Sequence, residues 1–424
     1  MSIGFCSCCS LKSHAEGVSL STQPFRPAFL PIPQRLGRRI AIVFLPLLSA
    51  FPLSAQESTS KLEKSPTAGL LATYPKRVPK YIGDRVMTVF EHPRQDGPVH
   101  RAVAAAMRHD ALALELMTTD AAILHGPTFS AVLQRRERIL ATVDQLLAIP
   151  EKDIDIWSVA MTLAQDAYPD LDKTKLNREF ESFVSRAGAL AKARDDPDFH
   201  VRALNTFIYK KWGIAYDTSD YMGRKLINRY PHGVLTTRKG SCANLATFYI
   251  SVAQRLGFPV YAVAAPQHYF ARYVDPRLFF QNIEPTGRGG YSPDAQYVRD
   301  MEISPLAIEK GTFLRTMTHQ ELVADMIADH AGHYAVELKD YPTAIAILDR
   351  ALARDPRAAD YWYFMGQIYK FWGFQEVMRE VREIKFTRAF VFMQKALRMG
   401  KGKPLEEGYW KELQKKPAKR GPGV

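Results

Sequence analysis

The sequence predicts an α+β protein in which α-helices precede and follow a small antiparallel β-sheet. Apolar residues recur at helical spacing between residues 128 and 190, and three short β-rich runs follow one another between residues 260 and 284. The last third of the chain returns to a helical pattern with a period of 34 residues. A chain of 424 residues exceeds the size that one hydrophobic core usually reaches, so we expect more than one domain.

Changes in composition along the chain predict six parts. They are a targeting segment (1–55), a linker (56–80), a helical lead-in (81–195), a core in which one helix packs on an antiparallel sheet (196–315), an α-helical domain of two repeats (320–400) and a basic tail (401–424).

The targeting segment has the pattern of an export signal. A basic stretch with Arg35, Arg38 and Arg39 precedes an apolar run over residues 40–53, and a small-residue cleavage site ends at Ala55. We therefore expect an exported protein, periplasmic or secreted, that is cleaved after Ala55 and has no stable membrane span. The residues before Arg35 indicate a start site placed too early. An uncleaved anchor is the alternative.

The charge of the chain does not by itself indicate a nucleic-acid partner. Lys and Arg exceed Asp and Glu by 57 to 44, a net charge of +13, but most of this excess is interleaved with acidic residues. It is concentrated only in the tail, which we expect to be solvated. The sequence has no glycine-rich phosphate loop of the usual spacing, so we expect no cofactor.

The helical lead-in is predicted from apolar residues that recur every three or four positions. The stripes are Phe129, Val132, Leu133, Leu140, Val143 and Leu147, then Trp157 to Leu163, then Leu176, Phe180, Phe183, Ala187 and Leu190. We interpret these helices as packing elements without chemistry of their own.

The core contains the most distinctive residue of the chain, Cys242. Apolar residues at 245, 248, 249, 252 and 256 predict a helix that starts at Ser241 or Cys242, and Gly257 with Pro259 ends it. A helix N-terminus favours a thiolate, because its N–H groups and dipole stabilise negative charge, and it could also stabilise an oxyanion. The alternative is an inert, buried thiol.

Cleavage after Ala55 would leave Cys242 as the last cysteine. The other three, Cys6, Cys8 and Cys9, lie in the removed segment, so no intramolecular disulfide would remain in the mature chain.

A histidine, His268, opens the second of the β-rich runs VYAVAA, HYFARYV and LFFQNIE. With a turn centred on Pro276, the numbers of facing residues in the last two strands add to 552, which places His268 opposite Glu284. A carboxylate there would hold the tautomer and orientation of the imidazole. A bulge would instead bring Ile283 or Pro285 to this position.

Other interpretations of these polar residues remain open. His268 could be an ordinary strand-end histidine in contact with solvent. The third member could instead be Asn282 or Asp275, although the turn places Asp275 about 20 Å along the strand from His268. Gln267 could add an oxyanion donor or simply be exposed.

The stretch RKGSCANLATFYISVAQRLGFPVYAVAAPQHYFARY, together with NIEPTGRGG, resembles the core of the transglutaminase-like superfamily. The papain-like fold of that superfamily sets a cysteine on a helix N-terminus and a histidine and an aspartate on adjacent strands. The resemblance implies Cys242 as nucleophile, His268 as general base and acid, and Glu284 as the orienting carboxylate. Glu284 is a departure, because the superfamily usually has Asp in that position.

Upstream, AQDAYPDLD and the helices around it are similar to the lead-in of the SirB-type branch, in which tetratricopeptide-type repeats often follow. Many SirB-type relatives lack the cysteine, so membership of the branch does not by itself imply catalysis. The presence of Cys242 favours activity here.

The C-terminal third resembles two tetratricopeptide repeats, with Gly332 and Gly366 standing 34 residues apart. Tyr341, Ala344, Leu348, Ala351 and Pro356 complete the first unit, and Trp362, Tyr369, Ala389 and Ala396 supply the second. The second unit departs from the pattern by an insertion around residues 375–385. Because two repeats rarely fold alone, we expect them to pack on the preceding domain and to bind a protein or peptide partner.

Two further constellations are weaker. The histidines His319, His330 and His333, with Asp325 and Asp329, could hold zinc, although the repeat pattern explains this segment without a metal. An aromatic group could line a peptide groove or form inter-helix core; its members are Tyr361, Trp362, Tyr363, Phe364, Tyr369, Phe371 and Trp372.

These observations lead to one functional hypothesis and one rival. The first is an exported cysteine-dependent enzyme that acts on amide bonds of a protein or peptide through Cys242, His268 and Glu284, by hydrolysis or acyl transfer and without a cofactor or metal. The rival is a non-catalytic scaffold in which a transglutaminase-like fold supports the protein-binding repeats.

Overall fold

The computed structural model describes residues 127–220, 223–376 and 379–402. The predicted targeting segment, the linker, the first part of the lead-in and most of the basic tail lie outside these residues. Within them, no helix is long and apolar enough to cross a membrane.

Three helices form the described part of the lead-in, and a fourth opens the predicted core. They are α1 (Pro127–Leu147), α2 (Ile156–Ala167), α3 (Lys173–Ala191) and α4 (Pro197–Asn205), and a π-helical turn (Thr206–Lys211) extends the last of them. Aspartates at 155, 172 and 196 accept backbone N–H groups at the starts of α2, α3 and α4, which explains where these helices begin. Helices α2 and α3 meet through Trp157 and Phe180, whose rings stack with centroids 3.9 Å apart.

The core consists of one central helix, two small sheets and several short helices. Its elements are β1 (Ala215–Tyr216), α5 (Pro231–Thr237), β2 (Lys239–Gly240), α6 (Cys242–Arg255), β3 (Val260–Ala265), β4 (His268–Tyr273), β5 (Asn282–Ile283), α7 (Asp294–Asp300) and α8 (Pro305–Glu309). Strands β1 and β2 pair in parallel, whereas β3, β4 and β5 form an antiparallel sheet in that order. This is the predicted helix on an antiparallel sheet, with the small parallel pair in addition.

Helix α6 is buried along most of its length, because it packs against α2 and α5 on one side and β3 and β4 on the other. The Gln254 side chain fixes its far end, donating to the Ile154 carbonyl (2.8 Å) and accepting the Ile156 N–H (2.9 Å). Gly257 ends the helix with a φ of 79°, as its place in the sequence predicts.

The β4–β5 pairing differs from its prediction. Observed partners are Ala271 with Ile283 and Arg272 with Asn282, so facing numbers add to 554 instead of 552. The predicted strand over 278–284 is also too long, because only 282–283 pair. The turn is centred one residue later than predicted, because the Tyr273 N–H bonds to the Gln281 carbonyl (2.8 Å) and residues 274–280 form the connection, in which Phe279 is 87% exposed.

Four helices follow the core, and consecutive helices pack together. They are α9 (His319–Gly332, continued by a π-helical turn, His333–Glu337), α10 (Tyr341–Arg354), α11 (Ala359–Gln375) and α12 (Arg379–Arg398). A capping box of Thr318 and Glu321 starts α9. One contiguous cluster of buried apolar side chains includes residues from Ile139 in α1 to Ala396 in α12. The lead-in, the core and these helices therefore share this hydrophobic cluster.

Different contacts explain why glycine occupies the two positions that define the 34-residue period. At Gly366 a Cβ atom would lie 2.4 Å from Met393 Cγ, so glycine permits close packing of α11 and α12. At Gly332 a Cβ would lie 2.6 Å from Nη1 of Arg229, a side chain of the core. The helices are paired as a repeat requires, and their assignment to the tetratricopeptide class stays a prediction.

Candidate functional site

Cys242 is the first residue of helix α6, and the chain before it explains why the helix starts there. Ser241 is the N-cap, and its Oγ accepts the Asn244 N–H (3.5 Å) and donates to the Asn228 carbonyl (3.0 Å). Gly240 leaves no room for a side chain, since a Cβ would lie 2.4 Å from Asn244 Oδ1. Cys242 is therefore held at the positive end of a helix dipole, as predicted.

The Cys242 sulfur is fully buried and disulfide-bonded. The other cysteines of the chain, Cys6, Cys8 and Cys9, lie outside the described residues. The expectation that Cys242 has no disulfide partner concerns a chain cleaved after Ala55. A nucleophilic role consequently requires reduction, because a disulfide sulfur has no thiolate to offer.

The path of the chain returns His268 to the same end of the core as Cys242. Helix α6 advances about 20 Å over its 14 residues, and β3 returns about the same distance over six residues. A two-residue turn, Pro266 and Gln267, then leads directly into His268, the first residue of β4. Gln267 adopts the left-handed conformation (φ 58°) that glycine or asparagine usually occupies.

The structure brings Glu284 to His268. Nε2 of His268 lies 2.6 Å from Oε2 of Glu284, although the shifted register makes the two residues diagonal neighbours instead of direct partners. Because the shift is by two residues, both side chains keep the same face of the sheet. The residues after Glu284 contact both α6 and β1, the strand that pairs with β2 immediately before Cys242.

The Glu284 carboxylate is saturated with donors. Oε1 accepts the Thr286 N–H (3.0 Å) and hydroxyl (2.6 Å), and Oε2 also accepts the Tyr297 hydroxyl (2.9 Å). Burial raises the pKa of Glu284, but the hydrogen bond and charge of His268 and the donors Thr286 and Tyr297 outweigh it, so the pKa is lowered overall. An ionised Glu284 holds Nε2 of His268 as a donor and directs Nδ1 away from the carboxylate.

The two alternative third members are engaged elsewhere. Asn282 accepts from Nε of Arg272 (2.7 Å) and donates to Asp294 (2.7 Å). Asp275 pairs with Arg277 (2.8 Å) in the connection between β4 and β5.

Sequence reasoning missed a polar network that braces the start of α6. The Asn228 side chain donates to Asp217 (3.0 Å) and Asp220 (2.7 Å), while its backbone carbonyl receives the Ser241 hydroxyl. Asp217 is also bonded to Lys225 (3.0 Å), and the Asp217 N–H donates to the Gly240 carbonyl (2.8 Å). The available signal was DTSD, a cluster of turn-forming acceptors shortly before the cysteine.

The predicted histidine cluster comes together only in part: the rings of His330 and His333 lie with centroids 5.9 Å apart. His330 bonds to the Tyr230 hydroxyl (2.7 Å) and to Asp166 (3.0 Å), whereas His319 lies at the other end of α9 and stacks on Tyr261. Among the described residues, no group of three or more His, Cys, Asp and Glu side chains could hold a metal ion.

The aromatic group of α11 forms inter-helix core instead of an open groove. Its buried members are Tyr361, Trp362, Phe364, Tyr369 and Trp372. Trp362 and Tyr369 both stack on Phe392 of α12.

Comparison with known proteins assigns a family to this part of the chain. Residues 174–328 match the family model described as Transglutaminase-like superfamily. This segment is a transglutaminase-like domain. It contains Cys242, His268 and Glu284 and extends into helix α9, beyond the predicted end of the core at residue 315.

Two curated relatives, each described as a UPF0162 protein, come from Xylella fastidiosa strains Temecula1 and 9a5c. Each is 27% identical to the chain over 163 residues, which is 38% of this chain and 56% of the relative. The chain thus spans about half the length of the curated relatives it matches. No solved structure shows significant similarity to the chain.

Proposed function

We propose that this protein is a cysteine-dependent enzyme that cleaves or transfers amide bonds of a protein or peptide. The observation that carries the proposal is the 2.6 Å contact of His268 with a buried, ionised Glu284, at the end of the core where helix α6 starts with Cys242. A thiol at a helix N-terminus, an imidazole and an orienting carboxylate are the components of thiol-dependent acyl transfer.

In the reduced protein, the Cys242 thiol gives its proton to Nδ1 of His268, while Nε2–H donates to Glu284. The thiolate attacks the amide carbonyl, and N–H groups at the start of α6 stabilise the tetrahedral oxyanion. His268 returns the proton to the leaving amine, and a thioester remains on Cys242. Water or a second amine then attacks the thioester, releases the acid or a new amide, and regenerates the thiol.

Several finer features belong to the same proposal. The chain would be a SirB-type member of the superfamily, and helices α9–α12 would act as tetratricopeptide-like repeats that hold the protein or peptide partner. Export with cleavage after Ala55 would remove Cys6, Cys8 and Cys9 and leave the reduced form of Cys242 that the chemistry needs.

The alternative is a non-catalytic protein-binding scaffold. Burial favours it, since Cys242 is 0% and His268 3% exposed, and so does the disulfide at Cys242. A catalytic protein must therefore open this region to admit a substrate after reduction.

Turnover separates the two functions. We would incubate the reduced protein with peptide mixtures in ¹⁸O-labelled water, with and without methylamine, and identify products by mass spectrometry. The enzyme incorporates ¹⁸O at new carboxyl groups or methylamine at acyl groups, and Cys242→Ala abolishes both while the unfolding midpoint stays close to that of the wild type. Equal product formation by Cys242→Ala would contradict a role for this thiol.

A further inference from the structure

Helix α3 carries a groove that none of the chemistry above uses. Exposed side chains of one α3 face line it together with Trp212 and Leu235, and its volume is about 420 Å³. The α3 members are Lys175, Arg178, Glu179, Ser182 and Arg186. Their spacing of three, four and eight residues places them along one side of the helix.

The groove has an apolar floor and a positively charged rim. Trp212 packs edge-on against Phe183 (centroids 4.6 Å apart), and Leu235 is buried beside it, so together they offer an apolar surface. Arg238 adds a further cation, since its guanidinium lies 5.7 Å from the Trp212 ring.

The rim is short of negative charge. Glu179 is the only carboxylate among the lining residues, and it lies 3.9 Å from Lys175. Neither Arg178 nor Arg186 forms an ion pair with a residue in the described part of the chain. The groove thus has three lining cations (Lys175, Arg178 and Arg186) and the nearby Arg238, against one carboxylate. This excess of positive charge favours an anionic ligand.

Arg238, which lies next to the groove residue Trp212, is close to the candidate site along the chain. Arg238 precedes strand β2, and β2 leads through Ser241 into Cys242. Cys242 follows Arg238 by four positions, so their Cα atoms are at most about 14 Å apart. Arg238 is the C-cap of α5, and its left-handed backbone (φ 59°) ends that helix in the usual way while leaving the side chain at an exposed position.

We infer that this groove binds an acidic peptide segment, in which carboxylate side chains flank one apolar side chain. The apolar side chain packs on Trp212 and Leu235, and the carboxylates pair with Arg178, Arg186 and Arg238. The inference rests on the proposed function in making this segment part of the substrate, held next to the amide that reaches Cys242. An apolar floor and a carboxylate on the rim suit a peptide of mixed character better than the dense phosphates of a nucleic acid.

Binding is measured without turnover, on the full-length Cys242→Ala protein. The probe is a fluorescent peptide in which one leucine is flanked on each side by two glutamates, and matched peptides carry glutamine or lysine in their place. We expect anisotropy to show preference for the glutamate peptide, and Arg178→Ala with Arg186→Ala to weaken its binding about tenfold. Arg178→Glu with Arg186→Glu should transfer the preference to the lysine peptide.

A matched double variant, Lys152→Ala with Arg354→Ala, removes the same charge at two exposed positions outside the groove. Equal weakening by this control, or a glutamate peptide that binds no better than the glutamine peptide, would overturn the inference. So would displacement of the peptide by a single-stranded oligonucleotide that itself binds more tightly. The binding assay uses a protein without the thiol, so its result does not depend on catalysis. If the groove binds the peptide but the wild type shows no turnover, the proposed function is contradicted and the groove assignment stands.

Discussion

His268 and Tyr269 are neighbours on strand β4, project to opposite faces, and each contacts a carboxyl group of another element. His268 meets Glu284, and the Tyr269 hydroxyl donates to Asp325 of helix α9, which also receives the Tyr361 hydroxyl of α11 (3.0 Å). One pair lies at the candidate site. The other joins the same strand to the C-terminal helices.

The two carboxyl groups respond to burial in opposite ways. At Glu284 the hydrogen bond and charge of His268 overcome the effect of burial, and the pKa is lowered. At Asp325 burial dominates, the tyrosine donors only partly offset it, and the nearby charges of Asp329 and Asp355 add to it, so the pKa is raised to about 7. Asp325 as a whole residue is partly exposed to solvent, but its carboxyl group lies among packed side chains.

The hydrogen-bond partner, more than the depth of burial, therefore decides whether each of these carboxyl groups is ionised. A titratable imidazole keeps Glu284 ionised and suited to orient a base, whereas neutral phenols leave Asp325 protonated up to about neutral pH. The sign of the pH dependence differs accordingly. Glu284 contributes stability that is lost as pH falls through its lowered pKa, and Asp325 contributes stability that is lost as pH rises toward 7.

The largest expected effect is on turnover by Glu284→Gln. A glutamine retains the shape but not the charge, so His268 loses the partner that fixes its tautomer and stabilises the imidazolium. We expect the rate to fall on the order of a hundredfold to ten-thousandfold. Glu284→Asp, which keeps the charge and matches the usual residue of the superfamily, should remain within about tenfold of the wild type. If Asp325→Asn lowered turnover as much as Glu284→Gln, the distinction between the two carboxyl groups would be wrong.

The pH dependence of the free energy of unfolding tests the pair formed by Tyr269 and Asp325. Asp325 has an ordinary pKa of 3.8 that rises to about 7 in the fold, so its proton favours the folded state fully below pH 4 and no longer above pH 7. Relative to Asp325→Asn, the wild type should lose roughly 4 kcal/mol of unfolding free energy from pH 4 to pH 8, at about 1.4 kcal/mol per tenfold change in acidity. Urea denaturation across this range measures the difference. A constant difference would contradict the raised pKa.

The smallest effect comes from removing one phenolic donor at each carboxyl group. At pH 5.5, Tyr297→Phe removes a hydrogen bond to an ionised Glu284 and should cost about 1.5–3 kcal/mol, whereas Tyr361→Phe removes one to a protonated Asp325 and should cost about 0.5–1.5 kcal/mol. At pH 8 Asp325 is ionised, so the cost of Tyr361→Phe should approach that of Tyr297→Phe. Urea denaturation measures both costs. If Tyr297→Phe and Tyr361→Phe cost the same free energy of unfolding at pH 5.5 as well as at pH 8, charge does not distinguish the two sites.

Local sequence patterns were sufficient for the elements that carry the candidate site. Apolar periodicity and the Gly257 stop predict α6 within a residue of its observed bounds, and short β-rich runs predict β3 and β4. The loop between β4 and β5 was not predictable in the same way. Its register depends on whether Phe279 enters the ladder or faces solvent, a choice that tertiary contacts decide. The pairing of His268 with Glu284 is compatible with either register because the two differ by an even number of residues.

Contacts between distant segments were out of reach of the sequence. Nothing near Asp325 indicates that Tyr269 and Tyr361 will enclose it, because the three residues come from different elements. Likewise, Asn228 looks like an ordinary loop residue until the fold places it between Asp217, Asp220 and Ser241. The same holds for Gly332, whose spacing suggests repeat packing while its observed neighbour is Arg229.

Whether the Cys242 thiol is activated for catalysis is measured most directly by the rate at which iodoacetamide alkylates Cys242 in the reduced, folded protein at pH 7. Mass spectrometry of the digested protein distinguishes this residue from Cys6, Cys8 and Cys9. If Cys242 and His268 form an activated pair, Cys242 reacts in the folded state, and His268→Ala slows the reaction at least about tenfold. If Cys242 reacts only after unfolding, or equally fast without His268, the thiol is structural and the catalytic account is contradicted.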